Sequence, residues 1–254
     1  MKKVIYLDVG THFGQEFLSL FGKNQTFYVK VLRRMIGQYI FRRGEKFTLT
    51  NIRTMIQSRR VVRENLKDFL FFFVEANPNI INHADVYTRA HGVFNCALTG
   101  NPSLDFTKLF LGNDYKLSQG SSIFLSKDNV SRDNFVTTLG VPAKIFFEAL
   151  KQHIDSLSTD YVVVLRLNCE GVEDDVIYSA HEIFKQKLVL ISGSLKDVKG
   201  CKGVQAYEKL ENYMSFNSIP FVFFSSLPNS WEKAHSSIMR VYDEFQKLTG
   251  KKNK

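Results

Sequence analysis

The chain has 254 residues, 44% hydrophobic and 23% charged, a globular balance that excludes a disordered, collagenous or fibrous chain. Its formal net charge of +9 is localised: Gly22 to Asp68 holds twelve Lys or Arg against three Asp or Glu, which leaves the rest neutral. Three cysteines without a CxxC pair (Cys96, Cys169, Cys201) exclude a disulfide framework and a thiolate zinc site, and predict reduced thiols in a cytoplasmic protein.

The apolar run after Met1-Lys2-Lys3 is broken at Asp8, so it reads as a strand over 3–8 and not as a signal segment. The longest aromatic run, Phe69 to Val74, is too short to span a bilayer. The first strand enters Asp8-Val9-Gly10-Thr11-His12-Phe13-Gly14 and then a helix over 14–22. Glycines in such a turn let a ligand approach the backbone, and the helix start behind it offers unpaired N–H groups. A second apolar run ends in an acid and a turn, Phe71-Phe72-Phe73-Val74-Glu75-Ala76-Asn77-Pro78. In doubly wound folds an acid at this place receives the two ribose hydroxyls of a nucleoside-type cofactor. The turn lacks Gly-x-Gly-x-x-Gly spacing, which argues against a dinucleotide oxidoreductase.

Between Asp8 and Glu75 lie 66 residues, whereas a strand–helix–strand unit needs about 30. The excess predicts a basic helical insertion at 24–66. Val31, Met35, Ile36, Tyr39 and Ile40 stand at helical spacing, with Arg33, Arg34, Arg42 and Arg43 among them. Gly44-Glu45 reads as a stop and 51–66 as a second helix. Beyond Glu75 the pattern predicts a short helix at 80–84, a loop and third strand over 89–98, and a hairpin or capping excursion over 103–126. A strand at 135–138 and a helix over 142–157 opened by Pro142 follow. Tyr161 to Leu167 is a buried parallel-type strand, Asn168-Cys169-Glu170-Gly171 a turn, and 172–185 a helix. Strands at 187–192 and 221–224, a helix at 203–215 and a C-terminal helix from Ser230 to about Leu248 complete the chain. The alternation predicts one α/β domain over 1–254, its mainly parallel central sheet flanked by helices.

Three pieces taken in order, Asp8 to Gly14, Val74 to Pro78, and Leu165-Arg166-Leu167-Asn168-Cys169-Glu170-Gly171-Val172-Glu173, resemble S-adenosylmethionine-dependent methyltransferases of the FkbM family. The third piece is similar to that family's Lys-Ile-Asp-x-Glu-Gly-x-Glu segment. The resemblance covers about 1–22 and 69–193 and leaves out the basic insertion. It implies a Rossmann-like class I methyltransferase fold, S-adenosyl-L-methionine as cofactor and S-adenosyl-L-homocysteine as product. Asp8, Gly10, Thr11, His12, Gly14 and Gln15 would line or open the glycine loop. Glu75 would bind the ribose, with Ala76 and Asn77 beside the adenosine and Cys96, Ala97 and Leu98 along the adenine. Asn168 and Glu170 would face the methyl donor and acceptor as catalytic residues, and Ser121-Ser122 resembles a serine pair of the family. The implied reaction is O-methylation of a carbohydrate or other small hydroxyl acceptor.

Arg166 and Asn168 stand where the family motif has Lys and Asp. An amide orients a hydroxyl but takes no proton, so the acid–base role falls on Glu170. Glu173 reads as a helix-start charge and Cys169 as a small buried hydrophobe. His83, His91, His153, His181 and His235 are scattered and form no metal set. The basic insertion, with Lys127 and Arg132, suggests an anionic acceptor or partner. It leaves two other functions open: a nucleic-acid methyltransferase gripping phosphates, or a non-catalytic binding module on the same fold.

Overall fold

In a computed structural model of the chain, the described residues are 3–23, 25, 27–29, 31, 32, 35, 36, 49–82, 85–112, 120–223, 235–241 and 243. They fall into two compact units, 1–13 with 69–221 and 14–68 with 222–254. The strands are β1 (Lys3–Val9), β2 (Phe69–Val74), β3 (Gly92–Phe94), β4 (Ala97–Thr99), β5 (Asp105–Gly112), β6 (Val130–Pro142), β7 (Tyr161–Leu167), β8 (Leu188–Gly193) and β9 (Phe221–Phe223). The helices are α1 (Gln15–Phe21), α2 (Leu49–Glu64), α3 (Pro78–Ile81), α4 (Ala143–Leu157), α5 (Glu173–Phe184), α6 (Lys196–Lys202) and α7 (Val204–Phe216). Among the described residues no helix is long and apolar enough to cross a membrane.

The first unit is built on a six-stranded sheet of order β3-β2-β1-β7-β8-β9. β1 pairs in parallel with both β2 and β7, β2 with β3, and β7 with β8. Val4-Ile5-Tyr6-Leu7 and Val163-Val164-Leu165 are buried throughout, as strands covered on both faces must be. α4 lays Phe146, Phe147, Leu150 and Ile154 into the core beside Val163, Leu165 and Phe184. The fold is thus α/β, with a mainly parallel sheet flanked by helices. Chain order reverses between β1 and β7, and in open α/β sheets ligands bind outside the strands' carboxyl ends at such a reversal.

The predicted third strand over 89–98 is divided. β3 extends the main sheet, while β4 joins β5 and β6 in a three-stranded sheet of order β4-β6-β5. The break is at Asn95, whose side-chain amide donates to the Glu75 carbonyl at 2.8 Å and turns the chain out of the main sheet. The strand expected at 135–138 is the middle of the 13-residue β6, which pairs antiparallel with β5. Helix α6 was not legible in the pattern because Val198 is its one buried residue. The short helix expected at 80–84 is α3, two residues earlier, opened by the Asn77 side chain and Pro78; residues 83 and 84 lie outside the described ones.

In the second unit, residues 25, 27–29, 31, 32, 35 and 36 are helical. Phe27 and Val31 pack with Met55 of α2, and Met35 and Ile52 border them. Arg59, one of the twelve cations between Gly22 and Asp68, is buried. Its guanidinium donates to the Ser19 and Gly22 carbonyls, both at 2.5 Å, and so closes the carboxyl end of α1, where a cation is favoured. It also lies 4.3 Å from the Phe27 ring centre, and burial lowers its pKa to about 10. His235 is buried against the Ser58 hydroxyl, and desolvation pushes its pKa down to about 3. Residues 235–241 of the predicted C-terminal helix are helical; the rest of that helix, and most of the first insertion helix, lie outside the described residues.

Candidate functional site

The carboxyl ends of β1, β2 and β7 bring together Asp8, Gly10, Thr11, His12, Glu75, Asn77, Asn168 and Glu170. Asp8 is buried, and its Oδ1 accepts from Arg166 Nη1 at 3.0 Å. The same guanidinium nitrogen donates to the Gly10 carbonyl at 2.6 Å. Arg166, visible in sequence only as a departure from the family motif, therefore pins the glycine loop to β7. The backbone N–H groups of Gly10 and Thr11 both donate to the Val74 carbonyl, and the Thr11 hydroxyl donates to the Asp8 carbonyl at 2.8 Å. Arg166→Lys should lower stability by about 1–2 kcal/mol, because a more strongly hydrated ammonium on a flexible stem does not hold the Asp8 carboxylate and the Gly10 carbonyl together as the planar guanidinium does. A shift of the urea midpoint measures it, and an unchanged midpoint would refute the pinning.

Glu75 is the centre of the site. Its Oε2 accepts the His12 backbone N–H at 2.7 Å and its Oε1 the Asn77 N–H at 2.8 Å. Burial raises its pKa, and these two donors act in the opposite direction. His12 holds φ 48°, and its carbonyl accepts the Tyr87 hydroxyl at 2.7 Å. Tyr87 and Asn95 fix this corner, and no local sequence pattern announced either. Asn77 caps α3 by accepting the Asn79 N–H at 3.1 Å, while the Ala76 carbonyl lies 3.4 Å from the Asn95 amide. Cys96, Ala97 and Leu98 are all buried, and Cys96 and Leu98 belong to the main apolar core. Burial raises the Cys96 thiol to about 12. Gly14 (φ 56°) and Gln15, which opens α1, belong to the second unit.

On the other side of the reversal, Asn168 donates its amide to Glu170 Oε1 at 3.2 Å. Glu170 is left-handed at φ 59°, and its Oε2 pairs with the Lys127 ammonium, which also stands 3.4 Å from Asp197. Burial lowers the Lys127 pKa, with Asp197 opposing. Lys127, read from sequence as an anion-binding candidate, is thus occupied by carboxylates, while Arg132 is exposed. Ser122 of the serine pair donates to the Glu170 carbonyl at 2.6 Å and accepts the Phe124 N–H at 3.0 Å. Glu173, read as a helix-start charge, turns back from α5. Its Oε1 accepts the N–H groups of Cys169 (2.9 Å) and Glu170 (2.7 Å), and its Oε2 that of Gly171 (2.8 Å). Burial pushes its pKa up to about 7. Burial also raises the Cys169 thiol well above its ordinary value.

His91 accepts the Phe71 N–H at Nδ1 (3.0 Å) and so supports β2. A separate cavity of about 730 Å³ opens at the opposite, amino-terminal ends of β8 and β9, lined by Tyr178, His181, Glu182 and Tyr213 among others. It has none of the glycine-loop or carboxylate machinery. No protein-family model matches this chain, and no curated protein or solved structure matches it.

Proposed function

We propose that the first unit is an S-adenosylmethionine-dependent methyltransferase acting on a hydroxyl of a small or carbohydrate acceptor. The observation that carries this reading is the setting of Glu75. Its two oxygens are held by the backbone N–H groups of His12 and Asn77, one on the glycine loop and one on the turn after β2. A carboxylate has about four acceptor sites, and two backbone donors leave room for the two hydroxyls of a ribose. Gly10, at φ 74°, keeps the adjoining loop free of a side chain. The residue set fits the cofactor the resemblance implies.

When bound, that cofactor supplies a methyl group on a sulfonium, open to in-line displacement by an acceptor oxygen. Alignment of the two reactants is worth roughly 7–11 kcal/mol at best, so positioning dominates. Asn168 and Lys127 fix the two oxygens of Glu170. Glu170 is the carboxylate that would accept the acceptor's hydroxyl proton. A positioned base of this kind contributes roughly 10²–10⁴-fold.

The test is titration calorimetry with S-adenosylmethionine. Glu75→Gln keeps one acceptor oxygen for a backbone N–H but loses the second and the charge, so affinity should fall by at least about tenfold, as for a charge-assisted hydrogen bond. Glu75→Ala is the poorer probe, because it strands the N–H groups of both His12 and Asn77. Equal affinity of Glu75→Gln and wild type would sink the reading.

A further inference from the structure

The positive charge is confined to one of the two units. Residues 14–68 and 222–254 contain 18 of the 34 Lys and Arg and 7 of the 25 Asp and Glu, a balance of +11, while the first unit stands at −2. One of those cations, Arg59, is consumed internally on α1. Arg53 and Arg63 are exposed, as is Arg60, whose Nε pairs with Glu64 at 2.9 Å.

The same unit exposes apolar side chains in a helical stripe. Along 25–36, Phe27 and Val31 turn inward, yet Tyr28, Val29, Leu32 (57% exposed) and Ile36 (42%) face outward. Positions 28, 32 and 36 are spaced i, i+4, i+8, the spacing of one helix face, and 29 adjoins 28. The sequence between them supplies Lys30, Arg33 and Arg34 and no acid. On α2 the motif recurs: exposed Ile56 stands between exposed Arg53 and Arg60, three residues before and four after it.

We propose that this second unit docks on an anionic phospholipid surface. Cations alone would suit any polyanion, including the phosphates of nucleic acid. Exposed Val29, Leu32, Ile36 and Ile56 have no counterpart on a phosphate backbone, and among the described residues of this stripe Tyr28 is the one exposed aromatic, which makes no stacking series for bases. Apolar side chains set within a basic field match the bilayer interface: the aliphatic groups enter the acyl boundary while Lys and Arg reach headgroup phosphates. The inference is independent of the methyltransferase reading, since it rests on the other unit.

The full chain would be sedimented with phosphatidylcholine vesicles and with vesicles of equal parts phosphatidylcholine and phosphatidylglycerol. Binding should be at least about tenfold tighter to the anionic vesicles and should weaken as salt is raised. L32S/I36S, at exposed positions that leave Phe27, Val31 and Met55 in place, should weaken vesicle binding at least about tenfold, the apolar contribution expected of an interfacial helix. R53E/R60E should weaken the preference for phosphatidylglycerol severalfold. Phe216→Ser, at the 89%-exposed Phe216 of the first unit, should leave binding unchanged. Circular dichroism establishes that each variant is folded. Absence of binding to the anionic vesicles, binding indifferent to L32S/I36S, or an equal loss in Phe216→Ser would each overturn the proposal. Tight, salt-sensitive binding to duplex DNA that L32S/I36S leaves intact, with no vesicle binding, would assign the surface to nucleic acid.

Discussion

Gly10→Ala is expected to leave little folded protein. Gly10 sits at φ 74°, and a Cβ built there would lie 2.1 Å from the Asn168 carbonyl oxygen and 2.8 Å from its carbon. Both atoms are backbone and cannot swing away. The Asn168 N–H is bound to the Val9 carbonyl at 3.0 Å, and β1 and β7 are in parallel register from Lys3 to Val9. Gly10 cannot retreat either: its N–H is bound to Val74 and its carbonyl to Arg166. A left-handed alanine alone costs roughly 1–2 kcal/mol, and relieving the collision means parting two central strands. The sum should exceed about 4 kcal/mol, the range reserved for named steric failures, against a total stability of about 5–15 kcal/mol. Gly200→Ala is the matched control. It lies within α6 with nothing within 4 Å of an added Cβ, and should gain up to about 1 kcal/mol from helix propensity. Urea midpoints measure both. A Gly10→Ala protein with the wild-type midpoint would mean that the β1 and β7 ends are not in this contact.

The main sheet was readable because β1, β2 and β7 are buried on both faces and show as continuous apolar runs; nothing else in the chain combines their length and hydrophobicity. Pro142 and the Phe146 to Ile154 stripe marked α4 for the same reason, a periodicity imposed by one buried face. The three-stranded sheet was not readable. Ala97-Leu98-Thr99 follows β3 by only two residues, and what separates them is the bond from Asn95 to the Glu75 carbonyl, a contact across 20 positions. At the site, Asp8, Gly10, Glu75 and Glu170 were legible as residue types at strand ends. Their partners were not. Arg166, Lys127, Ser122 and Tyr87 come from distant segments, and only the fold decides that Asp8 is bound to Arg166 or that Lys127 meets Glu170. Arg59 makes the same point in the second unit, where a cation of the basic stretch is spent on the Ser19 and Gly22 carbonyls.

Glu173→Ala is expected to cost at least about 3 kcal/mol and to release the turn that carries Glu170. The turn from Cys169 to Gly171 directs three successive N–H groups inward, an arrangement that binds anions, and here it is filled by the chain's own Glu173 carboxyl. Removing the carboxylate strands all three donors, and each buried orphan costs about 1–3 kcal/mol. Its titration gives a sharper test. Burial raises the Glu173 carboxyl from 4.5 to about 7 in the folded protein, so between those values the folded state binds a proton that the unfolded state does not. Stability contributed by this group is therefore full below the unfolded value and falls as pH rises, by about 1.4 kcal/mol per unit and roughly 3 kcal/mol in all, levelling off above the folded value. Glu173→Gln cannot ionise, keeps an oxygen for the N–H groups of Cys169 and Glu170, and should remove this fall. Unfolding free energies near pH 5 and near pH 8, wild type against Gln, isolate the group, since every other titrating residue is common to both. Parallel pH profiles would show that Glu173 is charged throughout. A steeper wild-type profile would tie this internal carboxyl to the turn that carries Glu170, whose N–H donates to Glu173 Oε1 at 2.7 Å.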